Sequence, residues 1–444
     1  MITNISYDSI DEKTLHILKK NLLDSYAGIC LSLQDTTMIK KFDRLSDLNF
    51  DEKGMSVWGV DKKTSVTDAL FMNTILSRRS DLLNTYMSPN KMGANHPSDN
   101  IALVLALADY MNKNGKDLLT YIYTALILSC GYSDYYNPEY AKYDHDAQAI
   151  FYTALLIGYI HGLNPVQLTE AQRIAGVFGL DINQTAMGEV SDWKHCTYAS
   201  CALRGMHIVR MTQAGFEGPK HIYDGEAGVN QFFPHNDTLL ENLPDLSRII
   251  FKRWPALVFC QTPIDVALDF CHEIKDVNDI QTIEIQTYKE AIDNGATKSS
   301  FHPVSRAGRT HSIAYCVAAA LIKNAIEYSY FDDDFLEKET EIIQLISKIK
   351  IKENPDMTIQ YPEKACCRII LTLKNGNVLN KSRDYPKGDP HDSLTDKELE
   401  EKALKNLKLI MDEQSAKNII QKIWNIEQEG EINWLVSPLK QRIL

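Results

Sequence analysis

The residues whose types and spacing best suit proton transfer begin with a histidine at residue 96. His96 stands directly before Pro97 and the polar run Ser98-Asp99-Asn100, and an apolar stretch begins at Ile101. Proline is tolerated in the first turn of a helix, and the polar side chains can accept hydrogen bonds from the unpaired amides there. The pattern predicts that His96 precedes a helix, beside its partial positive charge, where it could act as a general base or acid. The alternative is an ordinary surface residue at a helix start.

Five more polar residues beside apolar segments could contribute to the same chemistry. They are His145, Lys194, Lys252, Arg306 and Tyr315. Together with His96 they could abstract a proton next to a carboxylate, because histidines move protons, cations bind substrate carboxylates and donors stabilise the enediolate. Each has a structural alternative: His145 could cap a helix, Lys194 could extend towards solvent, and Tyr315 could pack in a core with its hydroxyl on a backbone group. The remaining buried-looking histidines are interpreted as structural: His161, His195, His207 and His272.

Several well-known motifs do not occur in the chain. The sequence contains no glycine-rich phosphate loop, no P-loop, no H-E-x-x-H pair and no serine nucleophile elbow. Its nine cysteines are scattered, and none forms a C-x-x-C pair, so we expect free thiols in a reducing compartment. The sequence therefore predicts neither a metal site nor a nucleotide cofactor.

Helical periodicity dominates the first 255 residues. Apolar residues recur at helical spacing in segments near 11–31, 65–83, 101–112, 118–132, 146–162, 169–180 and 196–215. Thr169 is the predicted N-cap of the sixth of these segments. We expect no sheet before residue 255, so the first part of the chain is predicted to be a helical domain.

Strand patterns appear further along the chain. Residues 279–287 alternate apolar and polar side chains, which predicts a half-buried strand. Residues 365–379 predict a hairpin that turns on Asn375-Gly376, and Thr395 forms a capping box with Glu398 before the last helices. The predicted fold class is mainly α. Its parts are a large helical domain over 1–264, an inserted smaller α+β domain over 265–392, and a return to the helical domain over 393–444.

The composition is that of a soluble globular protein. The 444 residues are 44% hydrophobic and 24% charged, with a net charge of −12. The negative charge and the lack of a Lys/Arg block argue against general nucleic-acid binding. No apolar stretch is long enough for a bilayer, and the N-terminus has no signal-peptide pattern. We therefore expect a cytoplasmic protein that binds neither nucleic acid nor membrane.

Segments along nearly the whole chain resemble the MmgE/PrpD family, which includes 2-methylcitrate dehydratases, cis-aconitate decarboxylases and an iminodisuccinate epimerase. Each segment alone is a weak signal, but the series follows the family's order. The matching segments are Asp81-Leu-Leu-Asn-Thr-Tyr86 with His96-Pro-Ser-Asp-Asn100, Tyr143-Asp-His145, Ser191-Asp-Trp-Lys194, Phe216-Glu-Gly-Pro219, Lys252-Arg-Trp-Pro255, Arg306 with His311-Ser-Ile-Ala-Tyr315, and Gly388-Asp-Pro390 with Leu394-Thr-Asp-Lys-Glu-Leu399.

The resemblance implies a helical domain built from both ends of the chain, an inserted α+β lid and a homodimer. It implies catalysis on a small carboxylate substrate in a cleft between the domains, without a metal or organic cofactor. Asp81, Thr85, Lys252 and Arg306 are carried over as substrate-binding residues, and the first two would orient their neighbours.

The resemblance also implies four catalytic residues. His96 or His145 would move the proton, and Lys194 would bind a substrate carboxylate and stabilise the developing negative charge, as Lys252 would too. Tyr315 would donate a proton to the leaving group or to the carbanion.

The chain departs from the family pattern beside these residues. Asn84 stands where the family has Asp, Tyr86 where it has Trp, and Thr310 where it has Asp before His311. These changes affect the prediction of which substrate binds more than the prediction of the fold. The predicted function is a lyase that dehydrates a hydroxy polycarboxylate such as 2-methylcitrate, and the alternatives are decarboxylation, epimerisation or a non-catalytic relative.

Overall fold

The computed structural model describes residues 2–89, 92–138, 142–186, 191–236, 243–332, 335 and 340–443. Contacts between residues divide the chain into two compact units. The first comprises Met1–Thr185, Trp193–Ile249 and Thr395–Leu444, and the second comprises Ala186–Asp192 and Ile250–Leu394. The structure is mainly α-helical with a smaller α+β part, which confirms the predicted fold class.

The first unit contains eight of the described α-helices before residue 250. They are α1 (Glu12–Ser32), α2 (Thr36–Leu48), α3 (Val66–Arg79), α4 (Pro97–Tyr110), α5 (Gly115–Tyr135), α6 (Ala149–Ile160), α7 (Pro165–Ala175) and α8 (Thr197–Gln213). Acidic or hydroxyl side chains begin several of them: Asp11, Asp35 and Ser65 each accept a hydrogen bond from an amide in the following first turn. Helix α3 packs against α1, α4 and α8, and α6 packs against α5, α7 and α8.

The expectation of no sheet before residue 255 is wrong. Strands β1 (Phe50–Val57) and β2 (Lys62–Thr64) pair antiparallel, and so do the short strands β3 (Tyr86–Met87) and β4 (Ala94–Asn95). The first half of β1 is exposed, and only its second half has the buried positions of a sheet, so apolar alternation is too short to detect there.

Helix α7 begins earlier than the predicted segment 169–180, and Thr169 is not its N-cap. The cap is Asn164, which forms a capping box with Gln167, and Pro165 occupies the first helical position. Thr169 instead donates its hydroxyl to the carbonyl of Pro165 within the helix.

The second unit combines helices with a four-stranded sheet. Its elements are α9 (Val258–Leu268), β5 (Ile280–Thr287), α10 (Lys289–Gly295), α11 (Arg306–Thr310), α12 (Ile313–Lys323), α13 (Thr340–Ile346), β6 (Ile349–Glu353), α14 (Pro355–Gln360), β7 (Cys367–Leu373) and β8 (Val378–Arg383). The strand order is β6-β5-β7-β8, with β5 and β6 parallel and the other pairs antiparallel. The predicted hairpin is confirmed: β7 and β8 turn at Asn375-Gly376, where Gly376 has φ +86°.

The longer segment of the second unit begins at Ile250, before the predicted residue 265, and ends at Leu394. The reason is helix α9, which the prediction assigned largely to the helical domain. Its buried residues, including Cys260 and Ile264, share one apolar core with the inner faces of β5 and β7 and with helix α12.

The chain returns to the first unit at its C-terminal end. Helices α15 (Asp396–Leu407), α16 (Glu413–Trp424) and α17 (Asn433–Val436) follow, and α15 starts with the predicted capping box of Thr395 and Glu398. Helix α15 packs along α1, where Lys402 forms an ion pair with the buried Asp24 at 2.5 Å. None of the helices in the described ranges is long and apolar enough to cross a membrane.

Candidate active site

Thr85 and His96 are brought together by the short hairpin of β3 and β4. Thr85 directly precedes β3, His96 directly follows β4, and Tyr86 pairs with Asn95 between them. His96 Nδ1 lies 3.1 Å from the carbonyl oxygen of Asn84 and 3.3 Å from Thr85 Oγ1. Because a carbonyl oxygen can only accept, this geometry assigns the proton of neutral His96 to Nδ1 and leaves the lone pair on Nε2. The histidine is therefore arranged to accept a proton through Nε2.

Helix α4 begins at Pro97, so the predicted placement of His96 before a helix is confirmed. The imidazole makes no capping hydrogen bond to this helix. Asn84 performs that function, because its Oδ1 accepts from Ser98 N at 2.8 Å and from Ser98 Oγ at 2.6 Å. Its Nδ2 donates to the buried Asn21 at 2.7 Å. An amide oxygen thus supplies the same acceptor as the carboxylate of the family pattern, and the departure at residue 84 is compatible with this cap.

His145 lies against His96. The two rings are edge to face, with centroids 5.2 Å apart and an interplanar angle of 86°. His145 begins a 3₁₀ turn, His145–Gln148, that leads directly into α6, as its position before an apolar segment predicted. Its Nδ1 is 3.2 Å from Asp144 Oδ1, and its Nε2 is 3.5 Å from Asp146 Oδ1. Among the described residues Nε2 has no hydrogen-bond partner, and neighbouring side chains enclose it.

Lys194 joins this group through Asp144. Its Nζ donates to Asp144 Oδ2 at 3.1 Å, and only 13% of its side chain is exposed, so it does not extend into solvent past Trp193. Burial alone would raise the pKa of Asp144, but the nearby Lys194 and His145 hold it well below its usual range. Asp144 is therefore a carboxylate that faces both His145 and Lys194.

Arg78 connects the turn that follows His96 with the turn that contains His145. Its guanidinium contacts Asp99 in the first turn of α4 at 2.6 Å and Asp146 beside His145 at 2.6 Å. Thr197 at the start of α8 accepts from Arg78 at 3.0 Å and donates to Asp146 at 2.7 Å. All these side chains are buried. The network fixes the turn after His96 relative to the turn that contains His145.

The cluster of Asp144, His145 and Asp146 also has a spacing that could hold a metal ion, with ligand atoms within 4.8 Å of one another. Both carboxylates are already paired with cations, Asp144 with Lys194 and Asp146 with Arg78. A divalent cation would have to displace a lysine and an arginine from these oxygens, so we assign no metal to this cluster.

Asp81 lies in the same unit, next to His195, which the sequence predicts to be structural. Asp81 adopts φ +54°, and its carboxylate is 3.9 Å from His195 Nε2. Burial lowers the pKa of His195, although Asp81 opposes this effect. His195 Nδ1 lies 3.2 Å from the Arg79 guanidinium, which has no acceptor, so Nδ1 carries the lone pair.

Lys252, Arg306 and Tyr315 belong to the second unit. Lys252 is almost fully buried. The guanidinium of Arg306 pairs with Asp332, donates to the Tyr328 carbonyl at 2.9 Å and lies 3.6 Å above the Tyr328 ring. Tyr315 is buried, and its hydroxyl donates to the Tyr330 carbonyl at 2.5 Å. The catalytic and substrate-binding roles of these three residues remain predictions.

The carboxylates and the arginine that hold the histidines in place are not among the residues predicted from the sequence. Asp144 and Asp146 flank His145 directly, and a histidine between two acids could have been interpreted as an oriented imidazole. Asp99 was identified only as an acceptor for helix amides. Nothing in the local pattern around Arg78 indicates its partners, which lie 21 and 68 residues away.

Relatives of known name align with much of this chain. Human cis-aconitate decarboxylase is 24% identical over 464 aligned positions, which cover 99% of this chain and 93% of that protein. The mitochondrial 2-methylcitrate dehydratase of Yarrowia lipolytica is 25% identical over 327 positions, which cover 66% of this chain and 61% of that protein. The 2-methylcitrate dehydratase of Escherichia coli K12 is 23% identical over 350 positions, covering 72% of this chain and 70% of that protein.

Two family models together match most of the chain. The MmgE/PrpD N-terminal domain matches residues 1–240, which include the histidine pair and Lys194. The MmgE/PrpD C-terminal domain matches residues 254–428, which include Arg306 and Tyr315. The chain belongs to the MmgE/PrpD family.

Proposed function

We propose that this protein is a cofactor-independent lyase that removes a proton next to a carboxylate of a small polycarboxylate, in the manner of a 2-methylcitrate dehydratase. The observation that carries the proposal is the His96–His145 pair, with ring centroids 5.2 Å apart, beside the Lys194–Asp144 ion pair. Dehydration needs a base for the carbon acid, a cation for the developing negative charge and a proton donor for the leaving hydroxyl. This group of side chains supplies all three.

Proton abstraction is assigned to His96. Its Nδ1 proton points to the Asn84 carbonyl, so the Nε2 lone pair can take the proton from the carbon next to a substrate carboxylate. The electron pair left on that carbon spreads into the carboxylate and forms an enediolate. Lys194 is assigned to this carboxylate, where its positive charge stabilises the enediolate more than the starting acid.

Loss of water completes the dehydration. The enediolate electrons form the carbon–carbon double bond while the carbon–oxygen bond on the neighbouring carbon breaks, and the departing hydroxide takes a proton to become water. We assign this proton to His145, whose Nδ1 faces the carboxylate of Asp144. The alternative proton donor is Tyr315, as predicted from the resemblance. For that role its hydroxyl would have to break its hydrogen bond to the Tyr330 carbonyl.

Decarboxylation of a cis-aconitate-like acid is the second candidate. The alignment with human cis-aconitate decarboxylase favours it, because it extends over 99% of this chain. In that reaction a carbon–carboxylate bond breaks, carbon dioxide leaves, and the electron pair is finally protonated on carbon. The same histidines could deliver this proton, and Lys194 could again neutralise a substrate carboxylate.

Nuclear magnetic resonance in D₂O tests these possibilities in one experiment. The purified protein is incubated separately with 2-methylcitrate and with cis-aconitate. A dehydratase converts 2-methylcitrate into an unsaturated acid, and a decarboxylase releases carbon dioxide and places deuterium on the product carbon. Deuterium uptake without net elimination would indicate an epimerase. If neither acid reacts, exchanges deuterium or binds, the chain is a non-catalytic relative for this class of substrate.

Matched variants connect the activity to the site. His96→Gln and Lys194→Met should lower the rate, whereas His221→Gln should not, because the side chain of His221 is 78% exposed and lies on the surface. Full activity in His96→Gln would contradict the assignment of the base.

We further propose that the enzyme works as a homodimer in the cytoplasm, as the family resemblance led us to expect. Light scattering after size-exclusion chromatography measures the mass directly, and a monomer mass would contradict the first part. Fluorescence microscopy of a tagged chain tests the second part.

A further inference from the structure

A segment outside the predicted site runs alongside the turn that carries His145. Residues 178–185 follow helix α7, and Ile182 forms an isolated β-bridge with Tyr143. Asp144 N donates to the Asp181 carbonyl at 2.9 Å, and Asn183 N donates to the Lys142 carbonyl at 3.1 Å. These backbone hydrogen bonds fix the main chain on both sides of residue 143.

The same segment also reaches the carboxylate of Asp144. Thr185 Oγ1 donates to Asp144 Oδ2 at 2.8 Å, and this oxygen also accepts from Lys194 Nζ at 3.1 Å. The other oxygen, Oδ1, accepts from Asp146 N at 3.0 Å and faces His145 Nδ1 at 3.2 Å. The orientation of one buried carboxylate therefore determines where two candidate catalytic side chains lie, and Thr185 helps to set that orientation.

Arg204 on helix α8 holds the segment in place. Its Nη2 forms an ion pair with Asp181 Oδ2 at 2.5 Å, and its Nη1 donates to the carbonyls of Gly179 at 2.8 Å and Phe178 at 3.3 Å. The Arg204 and Asp181 side chains are 16% and 14% exposed, so solvent screens the pair only partly. One guanidinium thus binds three acceptors on the part of this stretch that precedes the 3₁₀ turn at Asn183–Ala186.

We propose that Arg204 and Asp181 are positioning residues of the active site. They hold residues 178–185 so that the Asp181 carbonyl and the Thr185 hydroxyl orient Asp144, and Asp144 in turn orients His145 and Lys194. The catalytic consequence rests on the proposed lyase function, whereas the effect on Lys194 can be measured without any activity.

The test compares Arg204→Met with a matched variant, Arg173→Met. Arg173 also forms a partly exposed ion pair, with Glu170 at 2.5 Å, but on helix α7 and not with residues 178–185. The first readout is the rate at which an N-hydroxysuccinimide ester acetylates Lys194. Peptide mass spectrometry measures this rate, and circular dichroism first shows that each variant is folded. Loosening the Lys194–Asp144 pair should speed this reaction about fivefold in Arg204→Met and leave it unchanged in Arg173→Met.

Conservative variants separate positioning from folding. Arg204→Lys keeps the charge that faces Asp181 but not the planar group that also reaches the two carbonyls, so it should restore part of the wild-type acetylation rate. Thr185→Val leaves the Arg204–Asp181 pair intact but removes the hydroxyl that donates to Asp144, so it should raise the rate as Arg204→Met does. If Arg204→Met does not fold, wild-type acetylation in Thr185→Val overturns the proposal, and faster acetylation supports it.

The second readout is turnover of whichever acid the wild-type protein converts. We expect kcat to fall about tenfold in Arg204→Met, with partial rescue in Arg204→Lys and no change in Arg173→Met. Acetylation and turnover both equal to those of Arg173→Met would overturn the proposal. A wild-type protein without turnover would refute the proposed function alone, because the acetylation rates would still decide whether Arg204 positions Lys194.

Discussion

Replacing Arg78 by methionine would leave two buried carboxylates without their shared cation. Asp99 and Asp146 are each 1% exposed, and Arg78 contacts both at 2.6 Å. Methionine keeps most of the apolar volume of the side chain, so the dominant loss is electrostatic and not a cavity. Removing one partner of a buried pair costs about 3–5 kcal/mol, which is a large part of the total stability of a typical domain. We expect Arg78→Met to lower the free energy of unfolding of the first unit by about 4 kcal/mol.

The destabilisation should depend on pH with a definite sign. Burial raises the pKa of Asp99 even with Arg78 beside it, and loss of the guanidinium would raise this pKa further. A carboxyl whose pKa is higher in the folded than in the unfolded state takes up protons on folding, so its effect on stability improves as the pH falls. The difference in stability between wild type and Arg78→Met should therefore be smaller at about pH 5 than at about pH 8.

Urea denaturation followed by circular dichroism measures the loss, and hydrogen exchange of peptides from helix α4 restricts the readout to the first unit. Arg173→Met is the control, because its ion pair with Glu170 is 27% and 17% exposed and should contribute only about 0–1 kcal/mol. A loss of stability in Arg78→Met no larger than in this control would contradict the role of Arg78 as the shared cation. A difference from wild type that grows as the pH falls would contradict it too.

Three further predictions concern the neighbouring residues. Lys194→Met should lower kcat by about 10²–10³-fold because it removes the cation proposed for the enediolate, and initial rates that differ little from wild type would contradict this role. Asn84→Ala should destabilise the first unit by about 1–2 kcal/mol, since it leaves the Ser98 amide without its cap. Asn84→Asp keeps that acceptor but loses the donor to Asn21, so it should recover only part of the stability; thermal melts of both variants measure the difference. Burial lowers the pKa of His195, so the unfolded state binds its proton more readily and the stability falls as the pH drops below about 6.5. The melting temperature of His195→Gln should therefore depend less on pH below that value. An unchanged dependence would contradict the lowered pKa of His195.

The local parts of the site could be predicted because their signals lie in adjacent residues. Pro97 with the polar residues after it predicts a helix start, and the structure places His96 directly before helix α4. The Asn375-Gly376 turn and the capping box at Thr395 are equally local, and both are present. Each depends on backbone geometry within a few residues, which sequence patterns encode directly.

The contacts that organise the histidines could not be predicted in this way. Arg78 meets Asp99 and Asp146 only because helices α3, α4 and α8 pack together, and no periodicity encodes that packing. The start of helix α7 differs from the prediction for another reason. Asn164-Pro165 is itself a local helix-start signal, and asparagine is a stronger N-cap than the threonine five residues later.

The pairing of helix α15 with helix α1 has a consequence for biosynthesis. Asp24 is buried in α1, and its partner Lys402 is translated several hundred residues later, after the whole of Ile250–Leu394. While the ribosome makes that stretch, the face of α1 that α15 will cover is open to solvent and to chaperones. The first unit can bury it only when residues 396–407 have emerged, so nonsense mutations before that point should yield chains that cellular proteases degrade rapidly.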